Sequence, residues 1–306
     1  MAFPPFLDIL EYIEREEFDE VIISTPGPLG LAALAASRLF GLDVKGIYHT
    51  DFPRYIQHFT DDEALGEMTA GYMSWFYGNM QTVFVSSAAY RTQLMDWGIP
   101  RERLVDLPHG VSLERFSPDY RDLDFWSRFN VNGGFKFLYV GRVSREKNLE
   151  ALFKAFLELE DQEPGATLIV VGDGPHFEEL SKGYPQANIV FTGCLRDEAL
   201  SRAYAGADAF VFPSLTDTFG NVVLEAQASG LPAIVANEGG PREIILDGET
   251  GWVVDPRESG AWTAAMRRVM RDASARQRMA ERAREHARTH DWGHALNCFL
   301  QRGQRA

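Results

Sequence analysis

Short apolar runs alternate with helical stretches along almost the whole chain, and this alternation limits the fold more than any other feature. Four runs, at residues 20–24, 44–49, 82–86 and 103–107, precede a polar stretch around 118–130. Six more follow, at 136–140, 167–171, 188–191, 209–212, 233–235 and 252–254. Runs this short, separated by helices of roughly ten to fifteen residues, predict a mostly parallel, doubly wound α/β sheet. The Ala/Leu-rich stretch 29–40, closed by Gly41, is one of those helices.

The chain has 306 residues, which at about 150 per domain suggests two domains. The polar stretch and the Gly133-Gly134 pair place the boundary near 118. The expected division is an amino-terminal unit over 1–118, a second unit over 119–290, and a terminal helix over 291–306 that returns to the first. One helix is expected over 261–289, with Met266, Val269, Met270, Ala273, Ala280, Ala283 and Ala287 as its buried stripe. Trp292, Leu296, Phe299 and Leu300 form the apolar face of the last helix.

Hydrophobic residues make up 45% and charged residues 24%, as in ordinary globular proteins. A formal net charge of −14 repels phosphate backbones, so no nucleic-acid partner is expected. The charge is uneven: from Arg257 onward eleven arginines face five acidic residues. Docking of this basic segment on the acidic body is favoured over contact with an anionic membrane surface, because its arginines alternate with Glu and Ala on a helical pattern. Cys194 and Cys298 make neither a disulfide framework nor a metal spacing, which suits a reducing cytoplasm. No run reaches the ~18 apolar residues of a membrane span. The first ten residues lack the basic start of a signal peptide.

Open doubly wound sheets bind ligands beyond the carboxyl ends of their strands, so the loops there carry the candidates. Gly141-Arg142-Val143-Ser144-Arg145-Glu146-Lys147-Asn148 follows one run. Its glycine admits a ligand to the backbone, and Arg142 and Lys147 could clamp a diphosphate. The same residues fit a solvated loop equally well. Gly172-Asp173-Gly174-Pro175 resembles half of a dinucleotide fingerprint, but Phe177 occupies the third glycine position. A tight turn into a helix fits it better.

Asp217-Thr218-Phe219-Gly220-Asn221, with Glu225 further on, follows the run at 209–212 and opens a helix expected over 219–229. Eight helical residues separate Asp217 from Glu225 by roughly 12 Å. That is too far for a glycosidase carboxylate pair at roughly 5–9.5 Å. It suits the two hydroxyl-bearing ends of one extended ligand, and either residue alone fits a solvated carboxylate. Gly239-Gly240-Pro241 offers bare amides ahead of a further helix.

Together these loops resemble the nucleotide-sugar half of a retaining glycosyltransferase of group 1, also called family 4. The ordered set is Gly141-Arg142 with Lys147-Asn148, Gly172-Asp173-Gly174-Pro175, Asp217 with Glu225, Ala228-Ser229-Gly230-Leu231-Pro232 and Gly248-Glu249-Thr250-Gly251-Trp252. The family usually has Glu where Asp217 stands. Asp occurs in a branch resembling lipid mannosyltransferases and sulfoquinovosyl-diacylglycerol synthases. The resemblance implies the GT-B fold, two Rossmann-like domains facing a cleft. It implies that Arg142 and Lys147 hold the donor diphosphate and that Glu225 binds the ribose. Asp217 would meet the transferred sugar, aided by the Phe219-Gly220 amides. Gly141, Asn148, Gly174, Asn221, Gly239 and Gly240 would complete the donor contacts. Tyr48-His49-Thr50-Asp51-Phe52 resembles a segment whose histidine faces the donor sugar, so His49 joins Arg142, Lys147 and Asp217 as a catalytic candidate. Pro108-His109-Gly110-Val111 resembles the family's linker motif.

The implied partners are an NDP-sugar, with GDP-mannose or a UDP-hexose expected, and a lipid or glycan acceptor. No cofactor and no metal are expected, and Asp122-Leu123-Asp124 matches a metal-binding D-x-D string by chance. The location implied is cytoplasmic, with peripheral contact at the inner face of a membrane as a second reading. Only four runs precede residue 118, so the amino domain is expected to be incomplete, lacking an opening strand and its acceptor loop. Its exposed sheet edge would favour self-association. The alternative is a nucleotide-sugar-binding module without turnover. An oxidoreductase is disfavoured by Phe177.

Overall fold

The computed structural model describes residues 5–184 and 188–303, with ten parallel strands in two sheets and helices between them. The chain divides into two compact units. One takes the chain up to Pro108 and again from Leu296, and the other runs from His109 to Ala295.

The first unit holds α1 (Phe6–Glu16), β1 (Glu20–Ile23), α2 (Pro28–Phe40), β2 (Asp43–Tyr48), α3 (Phe52–Thr60), α4 (Glu63–Gly78), β3 (Thr82–Val85), α5 (Ala88–Asp96) and β4 (Leu104–Asp106). The strands pair in sequential order, β1-β2-β3-β4. Pro28 opens α2, and Gly41 closes it in the left-handed conformation. Tyr48, Phe76, Val83, Phe84 and Leu94 are fully buried within this unit.

The second unit holds β5 (Phe135–Val140), α6 (Leu149–Gln162), β6 (Ala166–Val171), α7 (Phe177–Gly183), β7 (Ile189–Gly193), α8 (Asp197–Ala205), β8 (Ala209–Phe212), α9 (Asn221–Ala228), β9 (Ala233–Ala236), α10 (Pro241–Ile244), β10 (Gly251–Val254), α11 (Ala261–Arg271) and α12 (Ala273–Arg288). A last helix, α13 (Trp292–Gly303), crosses the division, and its Phe299 ring lies 4.7 Å from Phe84 of the first unit. The sheet order is β10-β9-β8-β5-β6-β7. That order reverses direction between β5 and β8, which is the switch point where such sheets open a ligand crevice. Phe137, Leu138, Ile169, Val170, Phe210, Val211 and Ile234 have no exposed surface, because helices cover both faces of a parallel sheet.

Four features differ from the sequence expectation. The division falls after Pro108 rather than near 118. Residues just beyond it are tied into the second unit: the Val111 amide donates to the His290 carbonyl at 2.7 Å, and Phe116 packs edge-on against Tyr204. The helix expected over 261–289 breaks at Asp272. That residue leaves the helical conformation (φ −99°, ψ 85°) and its carboxylate accepts from the Ala275 amide at 2.8 Å, capping α12. Ala273, expected on the buried stripe, is exposed at that break. Helix α9 starts at Asn221 because Gly220 holds a left-handed conformation (φ 92°).

The basic segment docks as charge patterning suggested. Arg267 and Arg271 pair with Glu163, Arg257 with Glu238, and Arg282 with Glu249. Asp122 accepts from Arg202 at 2.8 Å, a local role for the D-x-D string. Cys194 is exposed and free. Residues 1–4 and the side chains of Cys298 and Leu300 lie outside the described residues. No described helix is long and apolar enough to cross a membrane.

Candidate functional site

The loops leaving β5 and β8 meet at the switch point. Tyr139, near the end of β5, is fully buried and donates its hydroxyl to the Arg142 carbonyl at 2.9 Å. Burial, reinforced by the charges of Asp217 and Glu146, pushes its phenol far above the usual range, so it stays a neutral donor. The loop then makes one tight turn at Arg145–Lys147. Inside it the Ser144 hydroxyl donates to buried Glu146 at 2.5 Å. Asn148 ends the turn in the left-handed region (φ 56°), which Asn tolerates better than most residues. Arg142 is exposed on this loop.

Lys147 reaches across to the β8 loop. Its Nζ donates to Asp217 Oδ1 at 2.8 Å and Oδ2 at 2.7 Å, with the two side chains 15% and 22% exposed. The same Nζ lies 5.8 Å from the centre of the Phe212 ring. Two residues after Asp217, Phe219 stacks flat on His109, with centroids 3.5 Å apart and planes at 6°. Further on, Glu225 on α9 accepts from the Tyr204 hydroxyl at 2.8 Å. Burial raises the Glu225 carboxyl above the ordinary range, while the Tyr204 bond and the Arg115 charge pull it back.

The glycines fit loop to loop. A Cβ on Gly174 would lie 2.3 Å from the Val143 carbonyl oxygen, and one on Gly240 would lie 2.0 Å from that of Thr218. Gly240 also donates its amide to the Asp217 carbonyl at 2.8 Å, which fixes the loop that carries Asp217. Gly239 (φ 76°) makes the turn before it. Sequence reasoning assigned these glycines to ligand approach; the contacts present are between loops.

Arg142, Lys147 and Asn148, with Gly141 and Gly174, therefore share the carboxyl edge of the second sheet with Asp217, Phe219, Gly220, Asn221, Glu225, Gly239 and Gly240. His49 stands in the first unit, exposed just beyond β2. Its Nε2 lies 2.6 Å from the Ser24 carbonyl and its Nδ1 lies 3.0 Å from the Thr50 hydroxyl. A carbonyl only accepts, so Nε2 carries the proton there. Tyr139, Tyr204 and Glu146 escaped the sequence reading. For the two tyrosines the available signal was a hydroxyl in a buried strand or helix, which must find a partner. Among the described residues, no three of His, Cys, Asp and Glu converge to hold a metal.

Residues 121–286 match the family model for glycosyl transferases group 1, and residues 1–115 match that for glycosyltransferase family 4. The chain belongs to the group 1 glycosyltransferases. Within this family it is 33% identical to the sulfoquinovosyl transferase SQD2 of Arabidopsis thaliana, over 93% of the chain and 56% of that relative. It is 28% identical to a GDP-mannose-dependent alpha-mannosyltransferase of Corynebacterium glutamicum, over 97% of the chain and 70% of that relative. The crystal structure of Anabaena Alr3699/HepE with UDP-glucose superposes with a TM-score of 0.81 at 19% identity, covering 99% of this chain and 81% of that one. The group 1 fold is thus the GT-B type, and the chain spans little more than half the length of SQD2.

Proposed function

We propose that the chain is a retaining glycosyltransferase that moves a hexose from a nucleotide sugar, GDP-mannose or a UDP-hexose, to a lipid or glycan acceptor. The observation that supports this reading is the Lys147–Asp217 pair, which joins the loops of β5 and β8 at the switch point, with Arg142 on the first of those loops and Glu225 on the helix that follows the second. A nucleotide sugar places a diphosphate between two hydroxyl-bearing rings. Glu225, held by the neutral Tyr204 donor, accepts from the ribose hydroxyls. Asp217 accepts from hydroxyls of the transferred sugar.

Lys147 and Arg142 face the diphosphate. As the bond from the anomeric carbon to the phosphate oxygen breaks, charge builds on that oxygen. Fixed cations stabilise that charge more in the transition state than in the ground state. The leaving phosphate oxygen takes the acceptor hydroxyl's proton, and the acceptor oxygen bonds to the anomeric carbon on the same face. No protein nucleophile is required. Lys147 is bound to Asp217. Donor binding exchanges these partners, so that phosphate takes Lys147 and sugar hydroxyls take Asp217. The family resemblance alone supports a catalytic role for His49.

The names of the relatives support this donor class, and the paired cations support transfer without a metal. The test incubates the purified chain with GDP-mannose and UDP-glucose, each with lipid and glycan acceptors, with and without chelator. A product with the donor's anomeric configuration, formed equally in chelator, is expected. An inverted product or loss of activity in chelator overturns the mechanism. Donor binding with no product across the panel favours the binding-module alternative.

A further inference from the structure

We propose that α4 docks a second copy of this chain, laid antiparallel across a two-fold axis near the middle of the helix. Ala64, Met68, Gly71, Trp75 and Gly78 follow one another at spacings of four, three, four and three. That repeat lines up on one side of a helix and is the one that packs against a partner helix. All five residues are exposed. Met68 is 72% exposed and Trp75 54%, and Leu65, next to Ala64, adds a third large apolar side chain at 40%. A contiguous apolar face left open in this way marks an interaction surface.

The other side of α4 already has its partners. Met73, Phe76 and Tyr77 are buried in the core of the first unit. Gly66 lies against α3, where a new Cβ would stand 3.3 Å from Gln57. The Tyr72 hydroxyl donates to the Pro26 carbonyl and ties the helix to the loop after β1. Packing within the unit thus accounts for these residues and leaves the Met68 and Trp75 side open. The small residues between those two let a partner helix approach closely, so that each large side chain has a gap to enter.

Charge selects the occupant and its direction. The start of α4 carries Asp61, Asp62 and Glu63, and Arg54 shares a hollow with two of them. At its end Arg38 donates to Asn79, and Arg103 donates to the Gly78 carbonyl at 3.4 Å. Neither acceptor is charged, so both guanidinium groups keep an unneutralised charge there. In the turn that holds Arg103, two arginines outnumber Glu102. An antiparallel second copy brings the acidic start of each helix to the basic end of the other. It also sets Met68 of each copy against Trp75 of the other, a sulfur–aromatic contact. A parallel copy would set acid on acid. The helix itself has no Lys or Arg, so it lacks the basic residues that hold an apolar helix face on an anionic bilayer. Its 16 residues span about 24 Å. One helix pair of that length is a small interface, so a dissociation constant of tens of micromolar is expected.

None of these residues belongs to the donor site, so the test is independent of the transferase reading. Sedimentation velocity of the intact chain from about 2 to 500 µM should show a monomer–dimer equilibrium. Met68→Glu and Trp75→Glu should each weaken it at least about a hundredfold, because each buries two unpaired charges in the seam. Both side chains are exposed, so both variants should melt as the parent does. Arg38→Glu should weaken the dimer about tenfold, and adding Glu63→Arg should restore it. A chain that stays monomeric throughout overturns the proposal. So does a dimer unmoved by both Met68→Glu and Trp75→Glu, which places self-association elsewhere, the open edge of β1 included. Met68-dependent binding of a monomer to phosphatidylglycerol vesicles overturns it in favour of a membrane. Failure of Glu63→Arg to restore the dimer overturns the antiparallel arrangement.

Discussion

Lys147 and Asp217 stand 70 positions apart and meet as a two-pronged ion pair, with Nζ 2.8 and 2.7 Å from the two carboxylate oxygens. The pair joins the loops of β5 and β8, the two strands that flank the switch point. It holds a cation where a diphosphate is proposed to bind.

Asp217→Asn should therefore separate binding from turnover. Releasing Lys147 should raise the affinity for free GDP or UDP by about threefold, since a phosphate no longer competes with a carboxylate. Transfer should fall about a hundredfold, because the sugar loses its acceptor group. Calorimetry with the nucleotide and initial rates with the sugar donor check the two halves.

Glu225 is predicted to trade stability for binding. Burial raises its carboxyl in the folded state. Its contribution is then full below the unfolded value and lost as pH rises through the folded one, so at pH 7 the charge is a cost. Glu225→Gln keeps an acceptor for Tyr204 and removes that cost. The melting temperature at pH 7 should rise by about 2 °C, while nucleotide affinity falls about tenfold. Differential scanning calorimetry at pH 7 and pH 4 should show the gain shrinking at the lower pH.

Much of the frame was legible in the chain. All ten strands lie within two residues of the runs that marked them, because a strand buried on both faces reads as an unbroken apolar run. Strand order was not legible, since no local pattern states which run pairs with which. Lys147 and Asp217 could be named as candidates, but their contact depends on that order. The break at Asp272 was hidden because the apolar stripe continues across it. Tyr139 and Tyr204 looked like core residues, and only the fold shows what their hydroxyls hold. The division after Pro108 was missed because the contacts of Val111 and Phe116 are long-range.

Helix α12 should make folding sensitive to mild acid. The buried Gln227 amide donates to the Ile244 carbonyl and to Thr250, leaving its oxygen to accept from His286 Nδ1 at 3.0 Å. Burial, and next the nearby His290, lower the His286 pKa. A histidine lowered in the fold contributes stability above its unfolded value of about 6.5, and that is lost as pH falls toward the folded value. Between pH 7 and 5 the urea midpoint should drop, and His286→Gln should flatten the drop.

Two glycines should respond oppositely to alanine. In Gly240→Ala the new methyl meets the Thr218 backbone at 2.0 Å, a clash that only backbone movement relieves, costing about 3 kcal/mol. Gly71, inside α4, has nothing within 4 Å of a new Cβ, so Gly71→Ala should stabilise by about 0.5–1 kcal/mol. Urea unfolding of both variants checks the contrast.

The central claim is that Lys147, Asp217 and Glu225 form one nucleotide-sugar site. Calorimetric titration of the chain with GDP-mannose and UDP-glucose tests it most directly. The account predicts saturable binding of at least one donor, weakened about tenfold or more by Lys147→Ala and by Glu225→Ala. No binding of either donor, or equal affinity in the parent and both variants, would contradict it.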